Sequence, residues 1–174
     1  MLERKGYEIR QTPFRNGGLE PNDIEELSDY GTKLIAFSAV QTASGHRSDI
    51  SSIAEIACKV EAMTFVDGAQ MAGALSIAPY LDKIDVFATS DHKFLLNAAR
   101  GMGYCYISKI LQDRIVPTNA GWKAGAVPLE SFFGPNMQLS QTASRFDNPI
   151  SWLAAIGDEA ALSLFGLFGV DATI

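Results

Sequence analysis

The pattern of apolar and polar positions divides the chain into short strands separated by helical and irregular segments. Four apolar runs have the length of a strand, at residues 33–39, 63–66, 86–89 and 104–107. The first run is nearly continuous in its apolar character, which is typical of a strand covered on both faces of a sheet.

The segment between the first two runs predicts an amphipathic helix. Its apolar positions recur at intervals of three and four residues, namely Ile50, Ile53, Ala54, Ala57 and Val60. Ser48 or Asp49 can cap this helix, because a short polar side chain accepts a hydrogen bond from the backbone of the first turn. A strand, a helix and a second strand in this order predict a βαβ unit with parallel pairing and a right-handed crossover.

Shorter elements surround this unit. Residues 7–15 alternate loosely and predict an edge strand with Pro13 at its margin. Short helical segments are expected at residues 21–27, 78–81 and 109–114.

Two longer segments complete the chain. Residues 115–148 are irregular, and a loop of this length is usually functional or covered by a partner. Residues 151–168 predict a helix that is apolar nearly all round and therefore needs burial against something. Together the elements predict an α/β fold with a mostly parallel sheet flanked by helices.

The composition is that of an ordinary globular domain, with 47% apolar and 20% charged residues among 174. The net charge of −6 and a pI near 4.8 argue against a nucleic-acid partner, which usually selects a basic surface. No apolar run approaches the roughly 20 residues that span a bilayer, and residues 1–6 lack the apolar core of a signal peptide. We therefore expect a cytoplasmic protein with no membrane or nucleic-acid partner.

The two cysteines and two histidines do not predict a metal centre. Cys58 lies within the helical pattern and Cys105 within a strand pattern, so both are predicted to be buried core residues. Neither cysteine has histidine or cysteine neighbours at ligand spacing, and no cluster of acids joins the histidines.

Charged and polar side chains follow two of the predicted strands. Asp67 comes directly after residues 63–66, and Ser90-Asp91-His92-Lys93 follows residues 86–89. Because ligands of α/β sheets bind at the carboxyl ends of the strands, these groups are expected to face one crevice. The simpler alternatives stay open: Asp67 can be a helix cap, and Gln70 and His92 can be ordinary structural residues.

This constellation resembles the class V aminotransferase family. That family comprises pyridoxal-phosphate (PLP) enzymes of fold type I and includes cysteine desulfurases, kynureninase and isopenicillin-epimerase-like proteins. The resemblance is carried by Asp67, Gln70, Ser90, His92 and Lys93, followed by the glycines at 101 and 103 and a strand. It extends over roughly residues 5–170 and includes the segment 40–45, which is similar to the family's loop ahead of the crossover helix.

The resemblance implies a PLP-dependent enzyme that acts on an amino acid substrate by transamination, elimination or racemisation. Lys93 would hold the cofactor as a Schiff base and move protons at the substrate α-carbon. Asp67 would pair with the pyridine nitrogen, and Gln70 would contact the phenolic oxygen of the ring. Ser90 and His92 would bind the phosphate.

The resemblance also carries expectations about domains and partners. Residues 1–174 would be a single domain, a part of the family's large domain, with the N-terminal segment and the C-terminal small domain of the family absent. Cys58 and Cys105 do not lie where desulfurases place their catalytic cysteine, so sulfur transfer is less favoured than other chemistry. A homodimer would cover the apolar helix at residues 151–168.

Two other interpretations compete with this one. The first is a non-catalytic remnant or gene fragment of such an enzyme, which folds and dimerises without binding PLP. The second is a nucleotide-binding α/β domain, but the chain has neither Gly-x-Gly-x-x-Gly after its first strand nor a Walker-type loop.

Overall fold

The structure, a computed structural model, describes residues 2–133 and 137–170. The strands are β1 (Leu34–Ser38), β2 (Met63–Asp67), β3 (Val86–Ser90) and β4 (Gly103–Ile107). The α-helices are α1 (Pro21–Leu27), α2 (Ile50–Lys59), α3 (Lys109–Gln112) and α4 (Trp152–Phe168). Short 3₁₀ turns lie at Glu3–Lys5, Ala78–Tyr80, Trp122–Ala124 and Ala143–Phe146.

The four strands form one sheet in the order β1–β2–β3–β4. β1 pairs with β2 and β2 with β3 in parallel, whereas β4 runs antiparallel to β3. Helix α2 connects β1 to β2, so the predicted βαβ unit with parallel pairing is confirmed. The predicted α/β fold with a mostly parallel sheet and flanking helices is confirmed as well.

Helix α2 forms where the apolar spacing predicted it. Asp49 is its N-cap: the Oδ1 atom accepts a hydrogen bond from the Ser52 backbone N–H at 3.0 Å, and Oδ2 accepts one from the Ser52 hydroxyl at 2.7 Å. Its buried positions include Ile50, Ile53 and Ala57, and Ile53 is fully enclosed. Apolar burial against the sheet therefore stabilises this helix beyond its own propensity.

Replacing Asp49 with alanine should lower the free energy of unfolding by about 1 kcal/mol, because the first turn of α2 loses its cap. Hydrogen bonds, first of all that from the Ser52 backbone, lower the pKa of the Asp49 carboxyl below its ordinary value. The stabilisation is therefore fully present above the ordinary aspartate pKa and is lost as the pH falls through the lower folded-state value. Urea unfolding of both proteins at neutral and acid pH measures the difference.

Asp82→Ala is the matched control, since Asp82 is exposed and its carboxylate forms no hydrogen bond with a residue of the described ranges. An equal loss of stability in both variants would contradict the capping role of Asp49.

The core lies on one side of the sheet, against α1 and α2. In β1, Ile35 and Phe37 are buried, whereas the alternate residue Leu34 remains 48% exposed. In β2, Val66 is fully buried while Phe65 is exposed. The prediction that the first strand is covered on both faces is therefore wrong, because burial alternates along β1 and leaves Leu34 and Ala36 exposed on the other face.

Residues 7–15 do not form the predicted edge strand. The described segment has a single bridge, between Arg15 and Gly18, in place of a ladder. Arg10 instead donates hydrogen bonds to the Asp29 carboxylate at 2.7 Å and to the Leu27 carbonyl at 2.9 Å. These contacts hold the segment next to the end of α1, so its alternating pattern has no neighbouring strand to pair with.

The prediction that both cysteines are buried core residues is also wrong. Cys58 and Cys105 are both exposed. Cys58 lies outside the buried stripe of α2, and Cys105 lies in β4, whose first residues are exposed because β4 is an outer strand of the sheet. Partial burial nevertheless raises the pKa of the Cys105 thiol, which keeps it in its less reactive protonated form.

Helix α4 confirms the predicted long helix near residues 151–168, with Ser151 as its N-cap. Its buried residues are Ala154, Asp158 and Ala161. Most of its large apolar side chains are exposed instead, including Trp152, Leu153, Ile156 and Leu167. Within the described ranges, no helix is both long and apolar enough to cross a membrane.

Candidate functional site

The carboxyl ends of the three parallel strands place the predicted site residues along one edge of the sheet. Asp67 is the last residue of β2, and Ser90 is the last residue of β3. The strand register pairs Asp67 with Ser38 on one side and with Ala88 on the other. Asp67 and Ser90 therefore end neighbouring strands within two residues of the same level.

Asp67 and Gln70 belong to the turn that leaves β2. Oδ1 of Asp67 accepts a hydrogen bond from the Ala69 backbone N–H at 2.9 Å, which is a local capping contact. Gln70 Nε2 donates to the Thr42 hydroxyl at 2.7 Å and so joins the loop after β2 to the loop after β1. Because residues 69–74 form turns rather than a helix, this contact caps the turn after β2 and is not the helix cap considered as the simpler alternative. The carboxylate of Asp67 remains exposed at the sheet edge.

Ser90 differs from the other candidate residues in the environment of its side chain. Its hydroxyl oxygen is buried and has no hydrogen-bond partner. A buried polar atom without a partner costs free energy, on the order of 1–3 kcal/mol, so it needs a physical explanation. A ligand oxygen placed at the end of β3 would supply the missing partner.

His92 and Lys93 lie in the loop that follows β3. The side chain of His92 is half-buried, and its Nδ1 atom lies 3.6 Å from Oδ1 of Asp91. Lys93 is exposed, and its carbonyl oxygen accepts a hydrogen bond from the Leu96 backbone N–H at 3.0 Å. Its ammonium group forms no ion pair with any residue of the described chain, so its charge is available to a ligand.

Sequence reasoning missed Gly73, which brings the β2–β3 connection against the Lys93 loop. Gly73 has a φ of +89°, and a Cβ atom at this position would overlap the carbonyl oxygen of Phe94. A glycine inside the segment 68–75 could indicate a close backbone contact, but the sequence does not show which part of the chain Gly73 approaches. This close approach ties the loop after Asp67 to the residue next to Lys93.

Replacing Gly73 with alanine should destabilise the protein by more than about 1 kcal/mol, because a side chain is incompatible with both the backbone angle and the Phe94 carbonyl. Gly6→Ala is the matched control, since Gly6 has nearly the same φ of +85° but no atom within 4 Å of an added Cβ. Denaturant unfolding compares the two. Equal losses of unfolding free energy in the two variants would show that the close approach of Gly73 to Phe94 does not affect stability.

The carboxyl edge of this mostly parallel sheet thus carries an acid, an amide, a hydroxyl, an imidazole and a lysine. Polar groups at this edge are typical of α/β domains that bind a small ligand there. No group of three or more histidine, cysteine, aspartate or glutamate side chains within residues 2–133 and 137–170 is arranged to hold a metal ion. The chain belongs to the class V aminotransferase family, since the family model described as Aminotransferase class-V matches residues 1–172.

Curated relatives agree with this assignment. The chain is 30% identical over 167 residues to a probable cysteine desulfurase of Borreliella burgdorferi, a match that covers 95% of this chain and 36% of that protein. It is 33% identical over 110 residues to the cysteine desulfurase IscS of Colwellia psychrerythraea, covering 62% of this chain and 26% of that protein. The chain thus spans about a third or less of the length of these relatives.

Solved structures show the same fold. The apo structure of a cysteine desulfurase from Thermococcus onnurineus NA1 superimposes with a TM-score of 0.70 and 27% identity, covering 89% of this chain and 38% of that one. A C-DES mutant with glycine covalently linked to its PLP cofactor gives a TM-score of 0.74 at 22% identity, covering 88% and 40%. At that identity the second likeness shows the fold alone, which is a part of the fold of PLP-dependent enzymes.

Proposed function

We propose that this chain is part of the cofactor-binding domain of a PLP-dependent enzyme that acts on an amino acid. The observation that carries the proposal is the buried, unpartnered hydroxyl of Ser90 at the end of β3, three residues before Lys93. A phosphate oxygen is a strong hydrogen-bond acceptor and would satisfy that hydroxyl. The residues present therefore fit the cofactor of the family.

The remaining polar groups have complementary roles toward such a cofactor. Lys93 would hold PLP through its Nζ amine and then carry a proton to or from the substrate. The carboxylate of Asp67 would lie against the ring nitrogen and keep it protonated, and the Gln70 amide would contact the phenolic oxygen. His92 would join Ser90 in binding the phosphate. PLP, when bound, supplies an electron sink for a substrate carbanion.

The names of the curated relatives suggest a substrate class. Both relatives compared above are named cysteine desulfurases. Cysteine or a related sulfur amino acid is therefore the first substrate to test, with transamination, elimination and racemisation as the reaction types. Cys58 lies on α2, and burial raises the pKa of the Cys105 thiol in β4 and so disfavours its reactive thiolate; neither cysteine is assigned a sulfur-transfer role.

The exposed apolar surface of α4 supports a homodimer. Trp152, Leu153 and Leu167 are each more than three-quarters exposed, and apolar side chains grouped in this way mark an interaction surface. We propose that a second copy of the chain covers α4. Light scattering at tens of micromolar tests this homodimer, and a monodisperse monomer would contradict it.

We also propose that residues 1–174 act as one domain of a larger PLP-enzyme architecture and that the protein is cytoplasmic.

The proposed function is tested by adding PLP to the purified protein and recording its visible absorbance before and after borohydride reduction. We expect a new absorbance band that borohydride removes, and a reduced pyridoxyl group on the peptide that contains Lys93. Peptide mapping separates Lys93 from Lys83 and Lys109, its neighbours along the chain. Labelling spread evenly over these lysines would show non-specific modification and contradict the proposal.

The alternative function is a remnant that folds and dimerises without binding PLP. It is favoured by the exposure of Lys93, since a nucleophilic lysine is commonly activated by desolvation in an apolar pocket. Under this alternative the protein unfolds cooperatively in urea but gives no band and no Lys93 label at any PLP concentration tested.

A further inference from the structure

Asn97 makes an unusual number of contacts for a loop residue. Its Nδ2 atom donates one hydrogen bond to Oδ2 of Asp91 at 2.7 Å and another to the carbonyl of Ala154 at 2.9 Å. Its Oδ1 atom accepts a hydrogen bond from the Ala99 backbone at 2.9 Å. The side chain is only 3% exposed, so both donor hydrogens and the acceptor are engaged inside the protein.

Asp91 is hydrogen-bonded to Asn97 through both its side chain and its backbone, and Lys93 lies between the two residues in the chain. Asp91 is fully buried, and its carbonyl oxygen accepts a second hydrogen bond from the Asn97 backbone N–H at 3.1 Å. Residues 91 and 97 are thus joined by a side-chain contact and a backbone contact, with Lys93 between them. Leu96 adopts a φ of +65°, which a leucine keeps only where its surroundings fix the backbone.

Helix α4 provides the surface on which this loop rests. Ala154 offers its carbonyl to Asn97, and a Cβ at Gly157 would lie only 2.7 Å from Oδ1 of Asn97. One turn further along, Tyr104 of β4 donates a hydrogen bond to the Asp158 carboxylate. Burial, and secondarily the charge of Asp91, raises the pKa of Asp158, which accords with buried polar groups packed closely at this junction.

We propose that Asp91 and Asn97 are positioning residues that fix the Lys93 loop against α4. We call this pair the Asp91–Asn97 clamp. We assign the clamp no contact with the cofactor; its hydrogen bonds fix the position at which the Lys93 backbone leaves the end of β3. Its functional meaning rests on the proposed role of Lys93, but its structural action is a property of the loop alone.

Two readouts test the clamp separately from the proposed function. The first is the rate at which borohydride traps PLP on Lys93. The second is amide hydrogen exchange of residues 91–100, which needs no cofactor. If the wild-type protein fails to bind PLP, the proposed function fails, while hydrogen exchange still decides whether the clamp orders the loop.

We expect Asn97→Asp to slow trapping by at least about 10-fold, because a reacting group displaced by even 1 Å loses that much or more. We also expect it to speed exchange in residues 91–100, because a carboxylate would then face the Asp91 carboxylate. The double variant Asp91→Asn/Asn97→Asp restores the contact between residues 91 and 97 but leaves the Ala154 carbonyl without its donor, so it should recover only part of the lost rate. Asn22→Ala, at an exposed position of α1, is the control and should behave as wild type.

Gly157→Ala covers the case in which Asn97→Asp does not fold. Alanine favours helix α4 over glycine, yet its Cβ would push Asn97 away from Ala154. We expect slower trapping and faster loop exchange in a protein whose helix is not weakened. The proposal would be overturned if Gly157→Ala trapped PLP and exchanged its loop amides at the wild-type rates. It would also be overturned if the double variant trapped PLP no faster than Asn97→Asp.

Discussion

Replacing Lys93 with alanine will abolish the borohydride-trapped PLP label and the visible absorbance band of the protein. The expected loss is complete because Lys93 is the only lysine in the segment 91–102, which joins β3 to β4. Lys93 is exposed and forms no ion pair within the described ranges, so its removal should leave the free energy of unfolding within about 0.5 kcal/mol of wild type. Absorbance, peptide mapping and urea unfolding of the same preparation measure all three quantities.

Lys109→Ala is the matched control for this variant. Lys109 is an exposed lysine at the start of α3, just after β4, and it has no place in the proposed site. It should retain the full label. A label that persists in Lys93→Ala would assign the cofactor to another lysine, and a label lost in both variants would point to a general change in the fold.

Replacing Asp67 with asparagine should weaken PLP binding by about 10- to 100-fold, the cost of losing one charge-assisted hydrogen bond of roughly 1.5–3 kcal/mol. Asparagine keeps an oxygen that can accept the hydrogen bond from the Ala69 N–H, so the turn after β2 should be preserved. The variant therefore separates the charge of Asp67 from its capping contact. Titration of tryptophan fluorescence with PLP measures the change in the dissociation constant.

Asp67→Ala and Asp82→Asn complete the comparison. The alanine variant loses the capping contact as well, so it should bind PLP as weakly and also unfold at lower urea concentration. Asp82→Asn changes the same charge at an exposed position away from the edge and should bind as wild type. Wild-type affinity in Asp67→Asn would leave Asp67 with the capping role alone.

The sequence predicted the parts of the fold that depend on local periodicity. The spacing of Ile50, Ile53 and Ala57 determines which face of α2 is buried, and a short apolar run ending in Asp67 determines where β2 stops. The family assignment also followed from residues close together in sequence. It needed only the order of acid, amide, hydroxyl, histidine and lysine, and the family match confirms it.

Features that depend on long-range packing could not be predicted in this way. An apolar strand such as β1 has the same pattern whether one face or both are covered, and Cys105 is exposed because β4 is an outer strand of the sheet. The alternation in residues 7–15 was overridden by the contacts of Arg10 with Asp29. The contact of Asn97 with Ala154 joins residues far apart in sequence, and neither residue type carries a distinctive signal.

The antiparallel placement of β4 bears on the order in which the protein folds. β3 and β4 form a hairpin in which the pair next to the connecting loop joins Ser90 to Gly103, so both ends of the Lys93 loop are fixed at the same edge of the sheet. This hairpin closes within residues 86–107, whereas β1 pairs with β2 only after the chain has passed through α2. Short-range contacts form faster than long-range ones. We therefore expect the β3–β4 hairpin that holds the Lys93 loop to form before β2, which ends at Asp67, pairs with β1. Pulse-labelled hydrogen exchange during refolding should show protection of β3 and β4 no later than that of β1.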